Sequence, residues 1–177
     1  LNLNRYPDRE FLNLRAAFAN YLGHDLKAEQ IWAANGSNEV LQHIFQAFGG
    51  PGRLALGFGP TYSMYLLIAQ GMDTKYINAP RLDRYELTPE HIREQILANQ
   101  PNIVMLCSPN NPTGTPLSLS CVEAAYEAVT EASGGIVVVD EAYAEFSGSD
   151  ESAIELLSGR ERLMVSRTMS KAFAFAG

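Results

Sequence analysis

The sequence predicts an α/β domain with three layers, in which helices cover both faces of a mostly parallel sheet. Short apolar runs alternate with stretches of helical spacing along nearly the whole chain. The run from Ile103 to Cys107 is apolar throughout, as expected of a strand covered on both faces. Polar residues gather directly after the predicted strands. In such sheets ligands bind beyond the carboxyl ends of the strands, so these polar residues indicate a site.

The first 52 residues predict two helices separated by a short strand. Asp8 is suited to cap a helix whose apolar spacing continues to Gly23. The apolar run from Ile31 to Ala34 predicts the strand. Apolar residues at helical spacing over 40–48 predict the second helix, which the glycine- and proline-rich run 49–52 ends.

Strands and helices alternate through the rest of the chain. A helix is predicted from Tyr62 to Ala69, and another begins with proline at its first position, at Pro89. The other predicted helices cover 120–132 and 154–157, and strands are predicted at 54–58, 75–77, 103–107, 136–139 and 163–165.

The composition limits the possible functions. With 177 residues, 46% of them hydrophobic, the chain can bury the core of one domain or most of a larger one. A net charge of -7 argues against nucleic-acid binding, which needs clustered Lys and Arg, and favours small molecules or proteins as partners. Cys107 and Cys121 lack zinc-site spacing and are interpreted as reduced core thiols. Without a signal peptide or an apolar run of membrane-spanning length, the sequence predicts a cytoplasmic protein that does not bind membranes.

Two predicted strand exits carry groups with both a structural and a functional interpretation. The run Asn35-Gly36-Ser37-Asn38-Glu39 joins a strand to a helix, so it is either a capping turn or an anion site at a helix N-terminus. Tyr62 follows a proline turn and is either a core residue or a ring that stacks on a planar ligand.

Three further exits carry amide, carboxylate and amine groups. Asn110 and Asn111 lie in the turn-rich segment after the third apolar run, where they form a plain turn or present amides to a ligand. Asp140 ends a buried run, where an unpaired charge costs several kcal/mol, so it needs a cationic partner, and Tyr143 lies near enough to share its site. Lys171 is either a surface lysine or an amine walled by apolar groups that adds to a carbonyl.

Together these groups match the needs of one cofactor. Pyridoxal phosphate requires an amine for its aldehyde, an aspartate for its pyridinium nitrogen, polar groups for its phenolic oxygen, a stacking ring, and a helix N-terminus for its phosphate. The motifs NGSNE, PTYSMY, SPNNPTG, VVDEAYAEF and SRTMSKAFAFAG occur in this order. In motifs and spacing, the chain resembles the fold-type I pyridoxal-phosphate aminotransferases over its whole length. RYPD, DEAYAEF and RTMSKAFAFAG resemble the histidinol-phosphate branch of that family.

The resemblance implies roles for individual residues. Lys171 binds the cofactor's aldehyde and moves the substrate proton, Asp140 pairs with the ring nitrogen, and Tyr62 stacks on the ring. Asn111 and Tyr143 contact the phenolic oxygen. The remaining implied positions are the phosphate-binding Gly36, Ser37, Thr168 and Ser170, the adjacent Asn38 where many relatives have Asp, and Tyr6, which reaches the site of a neighbouring subunit.

The resemblance also implies an activity and an assembly. It implies that residues 1–177 are the large cofactor-binding domain of a homodimer with shared active sites, without the N-terminal arm, an arginine shortly after Gly177 and the small C-terminal domain. The expected reaction moves the amino group of L-histidinol phosphate to 2-oxoglutarate in histidine biosynthesis. The alternatives are an aromatic aminotransferase, a phosphothreonine decarboxylase or a regulatory domain that binds the cofactor without turnover.

Overall fold

The computed structural model describes residues 4–6, 8–147 and 151–176. The chain divides into two compact units, residues 1–35 and 36–177. The assignment of 1–177 to one cofactor-binding domain stays a prediction.

The first unit contains helix α1, Leu12–Leu22, and a 3₁₀ turn, Ala28–Gln30. Arg15 Nε donates to the carbonyl of Ala28 at 2.8 Å and ties the helix to the turn. The Asp8 carboxylate accepts the backbone N–H groups of Glu10 and Leu12 at 3.0 and 3.2 Å. The prediction that Asp8 is the N-cap is nevertheless wrong, because the helix begins at Leu12 and its N-cap position is Phe11.

The strand predicted at Ile31 to Ala34 is wrong. Ile31 has extended backbone dihedrals, φ −101° and ψ 130°, but the first strand among the described residues begins at Leu54. An extended segment becomes a strand only when its backbone groups pair with a neighbour. Trp32 is 60% exposed, so the apolar residues of this run do not mark a buried strand.

The second unit is built on a five-stranded, fully parallel sheet. The strands are β1 Leu54–Gly59, β2 Lys75–Pro80, β3 Ile103–Cys107, β4 Ile136–Asp140 and β5 Leu163–Ser166. Their order across the sheet is β2-β1-β3-β4-β5, and it reverses between β1 and β3, which is where doubly wound sheets open a crevice.

Four helices connect or precede these strands, each close to its predicted position. Helix α4, Pro89–Asn99, begins with proline, and Thr88 Oγ1 accepts the N–H of His91 at 3.2 Å, so the predicted start is confirmed. The short helix predicted at 154–157 is a 3₁₀ turn, Ala153–Leu156. The four helices are α2 Gly36–Phe48, α3 Met64–Gly71, α4 Pro89–Asn99 and α5 Leu119–Ala132.

Separate hydrophobic cores fill the two faces of the sheet. On one face, Leu56, Val104 and Val137 pack against α4 and α5. On the other, the alternate strand residues Ala55 and Met105 pack against α2 and α3. Because successive side chains point to opposite faces, strands covered on both sides must be apolar throughout, and β3 is buried along its whole length. The predicted three-layer α/β/α fold is therefore confirmed.

Candidate active site

Four of the predicted site residues of the second unit lie beyond the carboxyl ends of four parallel strands. Tyr62 follows β1, Asn111 follows β3, Tyr143 follows β4 and Lys171 follows β5. Because the strands are parallel, these four segments emerge at one edge of the sheet, and the β1 and β3 segments flank the point of order reversal. The topology therefore places at one edge groups that are far apart in sequence.

Asp140 is a buried carboxylate at the end of β4, with 3% of its surface exposed. Its Oδ2 accepts a hydrogen bond from Tyr65 Oη at 2.7 Å, and its Oδ1 accepts the N–H of Ala142 at 3.2 Å. Burial raises the pKa of Asp140, while the bonds from Tyr65 and Ala142, and more weakly the charge of Lys171, oppose that rise.

Asp140 has no ion-pair partner within the described part of the chain. Ser166 on the neighbouring strand pairs with Asp140 across the sheet, and its buried hydroxyl has no hydrogen-bond partner among the described residues. A buried carboxylate held only by neutral donors suits a cation supplied by a ligand. The surroundings of Asp140 therefore fit the protonated ring nitrogen of a pyridine cofactor.

A series of side-chain contacts connects Asp140 to the start of α2 through Tyr65, Tyr62 and Asn38. Tyr62 and Tyr65 meet edge to face, with ring centroids 5.5 Å apart and planes at 83°. The Tyr62 hydroxyl donates to Asn38 Oδ1 at 3.2 Å. The predicted stacking residue is thus fixed at both ends and stays partly exposed.

The structure separates the two adjacent asparagines after β3. Asn110 is buried, and its amide donates to Pro60 O at 3.0 Å and Thr113 Oγ1 at 2.8 Å while accepting from Thr61 at 3.0 Å. The Asn111 side chain makes no such bond within the described segments and is half-buried. Asn110 therefore joins the β1 and β3 loops, which leaves Asn111 as the amide available to a ligand.

Tyr143 lies between Asn111 and Lys171 at this edge. It lines a groove of about 420 Å³ with the loop after β3, and Phe146 lies beside it with ring centroids 6.4 Å apart. Lys171 Nζ lies 5.6 Å from the centroid of the Tyr143 ring, a cation–π distance. The structure therefore brings the amine and the phenol together.

Lys171 is exposed, so the expectation of an amine walled by apolar groups is wrong in this structure. The residue sits in a turn beyond β5, and Ala172, Ala174, Phe175 and Ala176, which follow it, are themselves exposed. A lysine on such a turn keeps its hydration, since no apolar layer displaces water from its Nζ.

Hydroxyl residues after β5 lie beside the first residue of α2. A Cβ placed on Gly36 would lie 3.7 Å from Ser170 Oγ, and the φ of +70° at Gly36 is one that favours glycine. Thr168 is buried, and its Oγ1 accepts the N–H of Ser170 at 3.2 Å. Because Ser37 lies in the first turn of α2, hydroxyls and a helix N-terminus converge here, as an anion site requires.

Tyr6 belongs to the first unit and is fully exposed. Its reach into a neighbouring subunit stays a prediction. Cys107 and Cys121 are buried free thiols, as predicted. Among the described residues there is no cluster of metal-ligating side chains, and every helix is too short or too polar to cross a bilayer.

Two residues that shape the site, Tyr65 and Arg167, were not predicted from the sequence. Tyr65 could have been found from its spacing, because three positions after Tyr62 lies on the same helical face. Arg167 could have been found from Glu141, which is buried directly after Asp140 and needs a cation. Arg167 donates to Glu141 and to Glu145, each at 2.9 Å.

The Glu141 carboxylate also accepts hydrogen bonds from residues 152 and 153. It accepts from Ser152 Oγ and from the N–H of Ala153, each at 2.7 Å. The Arg167–Glu141 pair thus links the exits of β4 and β5, directly before Thr168. This ionic cluster supports the segment that carries Lys171.

The parallel α/β sheet presents an amine, a buried carboxylate and a hydroxyl-rich helix N-terminus at its carboxyl edge. These features define a ligand-binding domain of the doubly wound class. The family model described as "Aminotransferase class I and II" matches residues 2–177. The chain therefore belongs to the class I and II aminotransferase family.

Comparison with individual proteins shows which members of this family the chain resembles. The chain is 65% identical over 176 residues to the histidinol-phosphate aminotransferase of Paenarthrobacter aurescens, covering 99% of this chain and 47% of that protein. It is 52% identical to the histidinol-phosphate aminotransferase of Thermobifida fusca, with 100% and 47% covered. The chain thus spans about half the length of the curated relatives it matches.

A solved structure gives the same likeness in three dimensions. The crystal structure of histidinol-phosphate aminotransferase from Sinorhizobium meliloti in complex with pyridoxal-5'-phosphate superimposes with a TM-score of 0.87 at 26% identity. That comparison covers 98% of this chain and 46% of the other. The predicted fold-type I aminotransferase architecture is therefore confirmed.

Proposed function

We propose that the protein containing this chain is a pyridoxal-phosphate-dependent aminotransferase. The observation that carries the proposal is the position of Asp140, a buried carboxylate without a cationic partner in the described chain. It lies at the same sheet edge as Lys171 and as the close approach of Ser170 to Gly36. When bound, pyridoxal phosphate supplies an aldehyde that condenses with amines and a ring that withdraws electrons from the substrate Cα.

The side chains of this chain would divide the work of holding that group. The Lys171 amine would hold the aldehyde carbon and, once displaced by substrate, move the Cα proton. Asp140 would keep the proton on the ring nitrogen, and Tyr62 would lie against the ring. Asn111 and Tyr143 would bind the phenolic oxygen. The phosphate would meet the N-terminus of α2 at Gly36, Ser37 and Asn38, together with Thr168 and Ser170.

We infer that the amino donor is L-histidinol phosphate and the acceptor is 2-oxoglutarate, giving imidazole acetol phosphate and glutamate in histidine biosynthesis. The inference is supported by the names of the relatives that are 65% and 52% identical. The protein is proposed to be a cytoplasmic homodimer in which Tyr6 reaches the neighbouring active site. Its full exposure leaves the ring available for such a contact.

The activity is tested with the intact protein and pyridoxal phosphate. We expect glutamate to form from L-histidinol phosphate and 2-oxoglutarate much faster than from phenylalanine, and Lys171→Ala to abolish it. Faster reaction with phenylalanine would indicate an aromatic aminotransferase, and release of CO₂ from phosphothreonine would indicate a decarboxylase. Cofactor binding without turnover of any of these substrates would favour a regulatory domain.

A further inference from the structure

Tyr65 holds Asp140 from inside the core. Its side chain is fully buried in α3, and its Oη donates to Asp140 Oδ2 at 2.7 Å. Burial, followed by the negative charge of Asp140, raises the pKa of Tyr65, so the hydroxyl keeps its proton and remains a donor. No role was assigned to this residue by the sequence motifs.

The other groups facing Asp140 cannot replace this donor. The N–H of Ala142 bonds the second carboxylate oxygen, Oδ1. The Cys107 thiol is buried and uncharged, because burial and the charge of Asp140 raise its pKa. Glu141 adds a like charge that disfavours the ionised form of Asp140, and Lys171 contributes only a weaker favourable charge. Within the described residues, Tyr65 is thus the side chain that donates a hydrogen bond to the Asp140 carboxylate.

We propose that Tyr65 is a positioning residue, which keeps the Asp140 carboxylate ionised and oriented toward the ring nitrogen of pyridoxal phosphate. The inference rests on the proposed function. A carboxylate that is buried without a cation tends to protonate, and a protonated acid cannot pair with a pyridinium. A hydrogen bond to the charged form opposes that protonation, so Tyr65 prepares Asp140 for the cofactor.

The same residue also orders the predicted stacking ring. Tyr62 lies edge to face against Tyr65, and its hydroxyl bonds Asn38 at the start of α2. One buried side chain therefore contacts both the carboxylate predicted to meet the ring nitrogen and the ring predicted to lie against the cofactor.

The test compares Tyr65→Phe with Tyr76→Phe in the intact protein, measuring the pyridoxal-phosphate dissociation constant against pH. Tyr76 is a matched control, because its hydroxyl is buried in the same core without a hydrogen-bond partner in the described chain. We expect Tyr65→Phe to weaken binding about tenfold, in line with the loss of a hydrogen bond to a charged group. The loss of cofactor affinity at low pH should begin at a higher pH in Tyr65→Phe than in the wild type, since Asp140 then protonates more easily. Tyr76→Phe should match the wild type in both respects.

A double-mutant cycle tests whether Tyr65 acts through Asp140. In an Asp140→Asn background, Tyr65→Phe should change cofactor affinity less than twofold. If Tyr65→Phe does not fold, 3-fluorotyrosine at position 65 serves instead. Its more acidic hydroxyl donates a stronger hydrogen bond to the ionised Asp140, so the loss of cofactor affinity at low pH should begin at a lower pH than in the wild type.

Two outcomes would overturn the inference: wild-type affinity and pH dependence in the folded Tyr65→Phe protein, or an equal loss with and without Asp140. A wild-type protein that binds no pyridoxal phosphate would instead contradict the proposed function. The two failures are therefore distinguishable.

Discussion

At the scale of single residues, the carboxyl edge of the sheet contains polar groups that lack the partners of their immediate neighbours. Asp140 is buried with neutral donors only, whereas the adjacent Glu141 has a full ionic partner in Arg167. Asn111 has no side-chain hydrogen bond in the described segments, whereas Asn110 bonds three groups. In each pair one residue has a full set of partners, and its neighbour lacks the corresponding partner among the described residues.

The charge of Asp140 should destabilise the protein in the absence of cofactor. Its pKa is raised by burial, so the folded state binds its proton more tightly than the unfolded state. Stability is therefore lost as the pH rises above the unfolded pKa of about 3.9. We expect Asp140→Asn to raise the melting temperature of the cofactor-free protein by a few degrees at pH 7. The gain should vanish near pH 3.5, and an equal gain at both pH values would contradict this origin.

The two asparagines should respond in opposite ways to substitution. Asn110→Ala removes the hydrogen bonds that the amide makes to the Pro60 carbonyl and to the Thr61 and Thr113 hydroxyls, so we expect a loss of about 2–3 kcal/mol in the free energy of unfolding. Asn111→Ala should change stability by less than about 0.5 kcal/mol, but it should weaken pyridoxal-phosphate binding. Urea unfolding and cofactor titration measure the two effects. Equal stability losses would show that both amides serve the fold.

At the scale of elements, most of the architecture follows from local sequence. The run Ile136 to Val139 had to be a buried strand, because four β-branched apolar residues cannot stay in water at low cost. Thr88 and Pro89 set the start of α4 through capping chemistry. The run Ile31 to Ala34 looked similar but did not become a strand, because pairing depends on a partner that the local sequence does not identify.

The junction between the β4 and β5 exits depends on one arginine. Arg167 and Glu141 are 24% and 4% exposed, so removing the cation leaves a buried, uncompensated carboxylate. We expect Arg167→Met to cost about 3–5 kcal/mol of unfolding free energy. Arg93→Met is the control, because Arg93 pairs with Glu131 at an exposed position and should contribute less than about 1 kcal/mol. Similar losses in both variants would show that the buried pair is not special.

At the scale of the whole molecule, the topology explains how residues 36 to 171 can serve one site. The sequence predicted which residues follow β1, β3, β4 and β5, and the parallel order brings those exits to one edge. The sequence could not predict that Tyr65 reaches Asp140, because 75 residues separate them and only tertiary packing joins them. It also could not predict the exposure of Lys171, which depends on what covers the turn beyond β5.

The attachment point of the cofactor tests the central claim most directly. The intact protein would be mixed with pyridoxal phosphate, reduced with borohydride and digested, and the peptides would be weighed by mass spectrometry. We predict a visible absorption band before reduction and a pyridoxyl group on the peptide containing Lys171, with both absent in Lys171→Ala. Wild-type protein without the band, or a pyridoxyl group on another lysine, would contradict the account.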